Sequence, residues 1–246
     1  MAETRDEFYV GYLPMPAGHL RFVRIAIPLT LWILVACGAV IAYFQRSPGD
    51  AVWDQGKTIQ RTGVLRERPY PHLVFESETT TPVFLVEQGK RGSAPRCKGL
   101  DGTLVRVTGW KLDRDGREIV ELAPEPTAIE RTPGEVPALS ADRDLGSVYI
   151  DGEVVDYKCY LGAMKPGDGK THKACAALCL TGGIPPMLVT LDANGGRQYV
   201  LLAHESGGPM PAWISELAGE PVRVSGHLHE QGNLRILYVE SVARSH

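Results

Sequence analysis

The chain has 246 residues and a formal net charge of −3, with no basic stripe interleaved with aromatic side chains, so its composition argues against a nucleic-acid partner. Glycine (27) and proline (18) are plentiful while long helical patterns are scarce, which points to a mainly β protein outside one apolar segment. No nucleophile elbow, zinc-protease helix, phosphate loop or dinucleotide fingerprint occurs, so no catalytic residue and no organic cofactor is assigned.

Residues 1–24 form a short head containing Phe8, Tyr9 and Tyr12. Exposed aromatics on a segment too short to build a core predict docking on an integral-membrane protein partner or on the membrane interface itself, with a disordered tail as the alternative. Residues 25–44 carry no charge and would span roughly 30 Å as a helix, the thickness of a bilayer's hydrocarbon core. Arg21 and Arg24 precede this span and only Arg46 follows it. The positive-inside rule then gives a single-pass protein of a bacterial inner membrane, with a cytoplasmic N-terminus and the remaining chain in the periplasm. Leu34-Val35-Ala36-Cys37 also has the form of a lipoprotein cleavage box, with Cys37 as the residue acylated.

The remainder repeats itself. Leu100-Asp-Gly-Thr-Leu-Val-Arg-Val-Thr-Gly109 and Leu217-Ala-Gly-Glu-Pro-Val-Arg-Val-Ser-Gly226 agree at six of ten positions. Each is followed by a turn (Asp115-Gly116; Gly232-Asn233) and a second apolar alternation, 118–122 or 234–239. Strand-like runs lie upstream at 63–66 and 83–86 in the first copy, and at 152–155, 187–191 and 199–202 in the second. A short helix is predicted over 211–217. Three strands, a short helix and a hairpin are the layout of an OB-fold, so two tandem OB-like β-barrel domains are expected at 51–131 and 145–246, joined by a linker over 132–144.

The second copy ends Gly219-Glu-Pro-Val-Arg-Val-Ser-Gly-His-Leu-His-Glu-Gln-Gly-Asn-Leu-Arg-Ile-Leu-Tyr-Val-Glu-Ser241. This stretch is similar to the last hairpin of the periplasmic haem chaperone of cytochrome c maturation, an N-terminally anchored OB-fold protein. The haem-attaching His-x-x-x-Tyr of that family is absent, because the chain continues Ala243-Arg-Ser-His246. The resemblance therefore implies fold and topology, and haem handling is not carried over.

Residues 157–186 read as an insertion between the first two strands of the second copy, and they hold Cys159, His172, Cys175 and Cys179. Thr171 is placed as N-cap of a short helix over 172–180, which would set His172, Cys175 and Cys179 within about 60° of one another on one face. Together with Cys159 they make a Cys3His set suited to zinc, and Met164 and Met187 are soft donors that also allow copper(I). The Cys-x-x-x-Cys pair resembles, in spacing alone, copper-binding pairs of Sco-type chaperones and of oxidase subunit II, although Gly183 stands where the latter needs a histidine. The alternative is a disulfide from Cys159 to Cys175 or Cys179 that staples the loop. His227 and His229 share an exposed hairpin face. The function expected from these features is that of an accessory or assembly subunit of a membrane redox complex, or else of a periplasmic metal-binding or thiol-redox protein that uses the cluster directly.

Overall fold

The computed structural model describes residues 11, 14–45, 51–76 and 81–245. Phe8, Tyr9, Tyr12 and Arg46, on which part of the partner and orientation reasoning rests, lie outside the described residues, as does His246. The chain divides into two compact units, Met1–Ser47 and Pro48–His246.

In the first unit, α1 (Ala17–Phe44) begins eight residues before the uncharged stretch, because the amphipathic His19–Arg24 segment is also helical. Its 28 residues are long and apolar enough to cross a membrane, and none of them is buried against other parts of the chain. Cys37 lies in mid-helix.

In the second unit, β1 (Val52–Arg66), β2 (His72–Val74), β3 (Val83–Val86), β4 (Leu104–Arg114), β5 (Arg117–Leu122) and β6 (Ile129–Arg131) form one sheet, with the single turn α2 (Ala94–Cys97) between β3 and β4. β1 pairs antiparallel with both β2 and β4; β2 pairs with β3, β3 runs parallel to β5, and β5 pairs with β4. The strands therefore return on themselves in the order 1-2-3-5-4. The second set comprises β7 (Asp142–Asp156), β8 (Pro186–Leu191), β9 (Arg197–His204), β10 (Pro221–Gln231) and β11 (Leu234–Arg244), and it closes a barrel in the same order. Its closing parallel pair is β9–β11, and the expected short helix is a 3-10 helix over Ala212–Leu217. Full closure removes exposed sheet edges, and this shared strand order is that of the OB-fold.

The repeated decapeptide supplies β4 and β10, the strands that bridge the first and fifth of each barrel. Its final glycines do the same work in both copies. A Cβ on Gly109 would lie 2.1 Å from the Glu121 carbonyl oxygen, and one on Gly226 would lie 2.1 Å from that of Tyr238. Close approach of the fifth strand thus excludes any side chain there.

One apolar cluster crosses the two barrels, taking in Phe84, Leu112 and Ile119 from the first and Val155, Tyr157, Met187 and Leu201 from the second. The Tyr157 ring meets Phe84 edge-on at 5.2 Å, a favourable aromatic geometry. Polar ties reinforce the contact. The Met210 N–H donates to the Tyr70 hydroxyl at 2.8 Å, and buried Lys158 pairs with Glu121 while donating to the carbonyls of Glu87 (2.9 Å) and Gly89 (2.7 Å). Each barrel also has a separate inner core, built around Leu65, Leu73 and Val105 in one and Leu188, Val222 and Leu237 in the other.

Candidate metal centre

The connection from β7 to β8, residues 157–185, carries the cluster and packs where the two barrels meet. Asp156 ends β7 and is fully buried. Its Oδ1 accepts the Cys159 N–H at 2.8 Å and its Oδ2 lies 2.9 Å from His172 Nε2. Cys159 opens a π-helical turn, Cys159–Ala163, whose Cys159 carbonyl accepts the Met164 N–H. After the Gly- and Pro-containing loop comes α3 (Lys173–Thr181). His172, rather than Thr171, occupies the N-cap position, and it makes no side-chain cap hydrogen bond because its ring is committed to Asp156.

Three sulfurs converge. Cys159 Sγ lies 3.9 Å from Cys175 Sγ and 3.8 Å from Cys179 Sγ. These are contacts between unbonded thiols, since a disulfide brings its sulfurs to about 2.05 Å, yet Cys159 is within reach of either partner. The donor atoms fall in two overlapping triads, Cys159–His172–Cys175 and Asp156–Cys159–Cys179, each with its members within 4.8 Å of one another. Cys159 is common to both. All four residues singled out from the sequence are therefore brought together around that one sulfur, and Asp156 joins them. Cys159 and Cys179 are buried, while Cys175 is partly exposed.

Sequence reasoning missed Lys90. It lies in the turn after β3 of the first barrel, and its Nζ stands 2.6 Å from Cys175 Sγ, 3.6 Å from Cys179 Sγ and 3.3 Å from the Cys175 carbonyl oxygen. No local pattern marks it, since 85 residues separate it from Cys175. The backbone fixes its place: the Gly92 N–H donates to the Gly182 carbonyl at 2.8 Å, and a Cβ on Gly182 would lie 1.7 Å from the Lys90 carbonyl oxygen. The Gly182-Gly183 pair that ends α3 is thus also what lets the Lys90 turn close over the cysteines.

The electrostatics are polarised. The Cys159 thiol is pushed well above the usual thiol range by its hydrogen bond to Cys179, then by burial and the Asp156 carboxylate. The same hydrogen bond favours the Cys179 thiolate and lowers its pKa, with Lys90 nearby adding to the effect. The hydrogen bond to Cys175 in turn holds the Lys90 ammonium above the ordinary lysine value. Proton retention is thus favoured on Cys159 and proton loss on Cys179, with the Lys90 ammonium beside them.

Other thiol, thioether and imidazole side chains lie elsewhere. Cys97 is buried in the first barrel with its Sγ 3.6 Å from Ser93 Oγ, and burial raises its thiol to about 11. Met187 is a core residue of the shared apolar cluster, and Met164 is exposed. His229 Nδ1 lies 2.9 Å from Asp142 Oδ2 with its ring against Tyr238, and His227 Nε2 lies 3.4 Å from Glu240 on the exposed face.

No protein-family model and no curated protein matches this chain. Among solved structures it is similar to a deletion variant of the single-stranded DNA-binding protein from Thermus aquaticus, at 16% identity over 81% of this chain and 89% of that one, with a TM-score of 0.23. This finding corrects the partner expectation. The protein matched is a DNA-binding one, against the exclusion of nucleic acid, and nothing matched is an integral-membrane partner or speaks for one. Whole-chain charge could not support the exclusion, because OB barrels that bind nucleic acid do so on one local face. Neither part of the expectation is retained, and the likeness itself assigns this chain no ligand.

Proposed function

We propose that this protein binds one soft or borderline metal ion, zinc in the first instance, through Cys159, Cys175 and Cys179 with His172 as fourth donor. The observation that carries the reading is the spacing of the sulfurs. Four ligands arranged tetrahedrally at about 2.3 Å from zinc stand about 3.8 Å apart. The Cys159 sulfur lies 3.8 and 3.9 Å from its two neighbours. The surroundings support the same conclusion. A ligating histidine usually gives its other ring nitrogen to a carboxylate, as His172 gives Nε2 to Asp156, so ligation falls to Nδ1. The Lys90 ammonium balances the negative charge that three thiolates around a divalent ion leave behind.

The accessory-subunit reading needs the membrane partner that has been withdrawn, so the cluster itself carries the function. We place the protein in a bacterial inner membrane by way of α1, with residues 51–246 on the periplasmic side, on the flanking-charge argument given above.

Full-length protein purified under reducing conditions should contain about one equivalent of zinc by elemental analysis, and Cys159→Ser should abolish it. Copper in its place would keep the site and change the ion. A reduced, folded protein that takes up neither metal would overturn the proposal.

A further inference from the structure

Lys90 Nζ and Cys175 Sγ stand closer than an ordinary hydrogen bond to sulfur. Ordinary N–H···O hydrogen bonds run about 2.7–3.2 Å, and sulfur is a larger acceptor than oxygen. The Lys90–Cys175 separation of 2.6 Å is below that range. It is also well beyond a direct bond, since even two sulfurs bond at about 2.05 Å. A separation between those limits is the span of two bonds through a single light atom.

The two groups are also held there. Lys90 is presented by a turn whose backbone is pressed against Gly182 and tied by the Gly92-to-Gly182 hydrogen bond, and Cys175 is fixed on α3. Of the three cysteines that converge, Cys175 is the partly exposed one, which makes it the one that dissolved oxidants reach first.

We propose that Lys90 and Cys175 form a reversible covalent nitrogen–oxygen–sulfur bridge, an oxidative modification that removes Cys175 from the donor set. With dioxygen as oxidant, the O–O bond breaks, one oxygen enters the bridge and the other leaves as water. One N–H and the S–H bond are lost, and N–O and O–S bonds form. Of the three hydrogens on the amine and thiol, one stays on nitrogen and two go to water. Nitrogen and sulfur give up two electrons each, and these four reduce dioxygen. Two equivalents of hydrogen peroxide give the same bridge and three waters. Thiol reductants return four hydrogens and four electrons, regenerating the amine, the thiol and one water.

The consequence for metal rests on the zinc reading above; the bridge itself does not. Bridging withdraws a ligand and the balancing cation together, so oxidation would release the ion and reduction restore the site.

The test uses full-length protein in detergent, stripped of metal with a chelator, exposed to air or hydrogen peroxide, and digested without reductant for mass spectrometry. A peptide pair joined through Lys90 and Cys175 is expected, heavier than the two peptides by one oxygen and lighter by two hydrogens, and reverting on reduction. Lys90→Arg keeps a cation beside the sulfur and should abolish that species. The proposal is overturned if oxidation links Cys175 to Cys159 instead, if Lys90 and Cys175 join without the extra oxygen, or if they stay unlinked. Zinc analysis of the reduced protein keeps the two readings apart. Bridging without zinc uptake defeats the metal site alone, and zinc uptake without bridging defeats the bridge alone.

Discussion

Gly92 and Gly182 meet backbone to backbone: the N–H of one donates to the carbonyl of the other at 2.8 Å, and a Cβ on Gly92 would come 2.2 Å from the neighbouring Gly183 carbonyl oxygen. This contact joins the first barrel's turn to the end of the second barrel's cysteine helix. The cluster is therefore a property of both barrels, although all its sulfurs belong to one.

Gly182→Ala tests that dependence. Gly182 has an ordinary φ of −77°, so backbone strain is not the issue. The added methyl would collide with the Lys90 carbonyl and displace the turn. A loss of roughly 3 kcal/mol is expected in denaturant unfolding, with weaker metal retention in the protein that remains folded. An alanine variant as stable as wild type would show that the turn moves freely.

Asp156→Asn addresses orientation of the site. The asparagine oxygen can still accept the Cys159 N–H, but its amide cannot replace the carboxylate facing His172 Nε2. Metal affinity, measured by competition with a chromophoric chelator, should fall about 10–100-fold while the fold persists. Unchanged affinity would remove His172 from the ligand set.

Lys158→Met should destabilise the protein by about 3–5 kcal/mol, because it leaves Glu121 buried without its partner and two carbonyls without their donor. Pairing it with Glu121→Gln should recover part of that loss. If the double variant is no more stable than the single one, the buried charge is not the cause.

Acid should weaken the first barrel through His72. Burial lowers its pKa to about 4, and it stands in the folded state with Nδ1 donating to the Tyr70 carbonyl at 2.7 Å. The unfolded state, with an ordinary pKa near 6.5, takes up the proton first, so stability falls as pH drops from about 6.5 to about 4, by roughly 3 kcal/mol in all. His72→Leu should flatten the pH dependence of unfolding in that window. An identical slope in the variant would assign the acid sensitivity to other groups.

Much of the architecture was legible in the chain. The repeated Leu-x-Gly-x-x-Val-Arg-Val-x-Gly marked β4 and β10, because close packing of the fifth strand leaves room only for glycine at its end. Period-2 runs located β3, β5, β8, β9 and β11, and the uncharged stretch located α1. The cysteines and His172 were legible as a local cluster, since a nine-residue helix and its N-cap place i, i+3 and i+7 on one face. Asp156 and Lys90 were not. One stands three residues before Cys159 at a strand end, and the other lies in the opposite barrel, and nothing in sequence spacing distinguishes a carboxylate or ammonium aimed inward from one that faces water. The parallel closures β3–β5 and β9–β11, the shared apolar cluster around Phe84 and Tyr157, and the meeting of Gly92 with Gly182 all join residues remote in the chain. Hydrophobic pattern and turn chemistry act over a few residues and so fixed the strands and the helix; which charges face the sulfurs was decided only when the barrels packed.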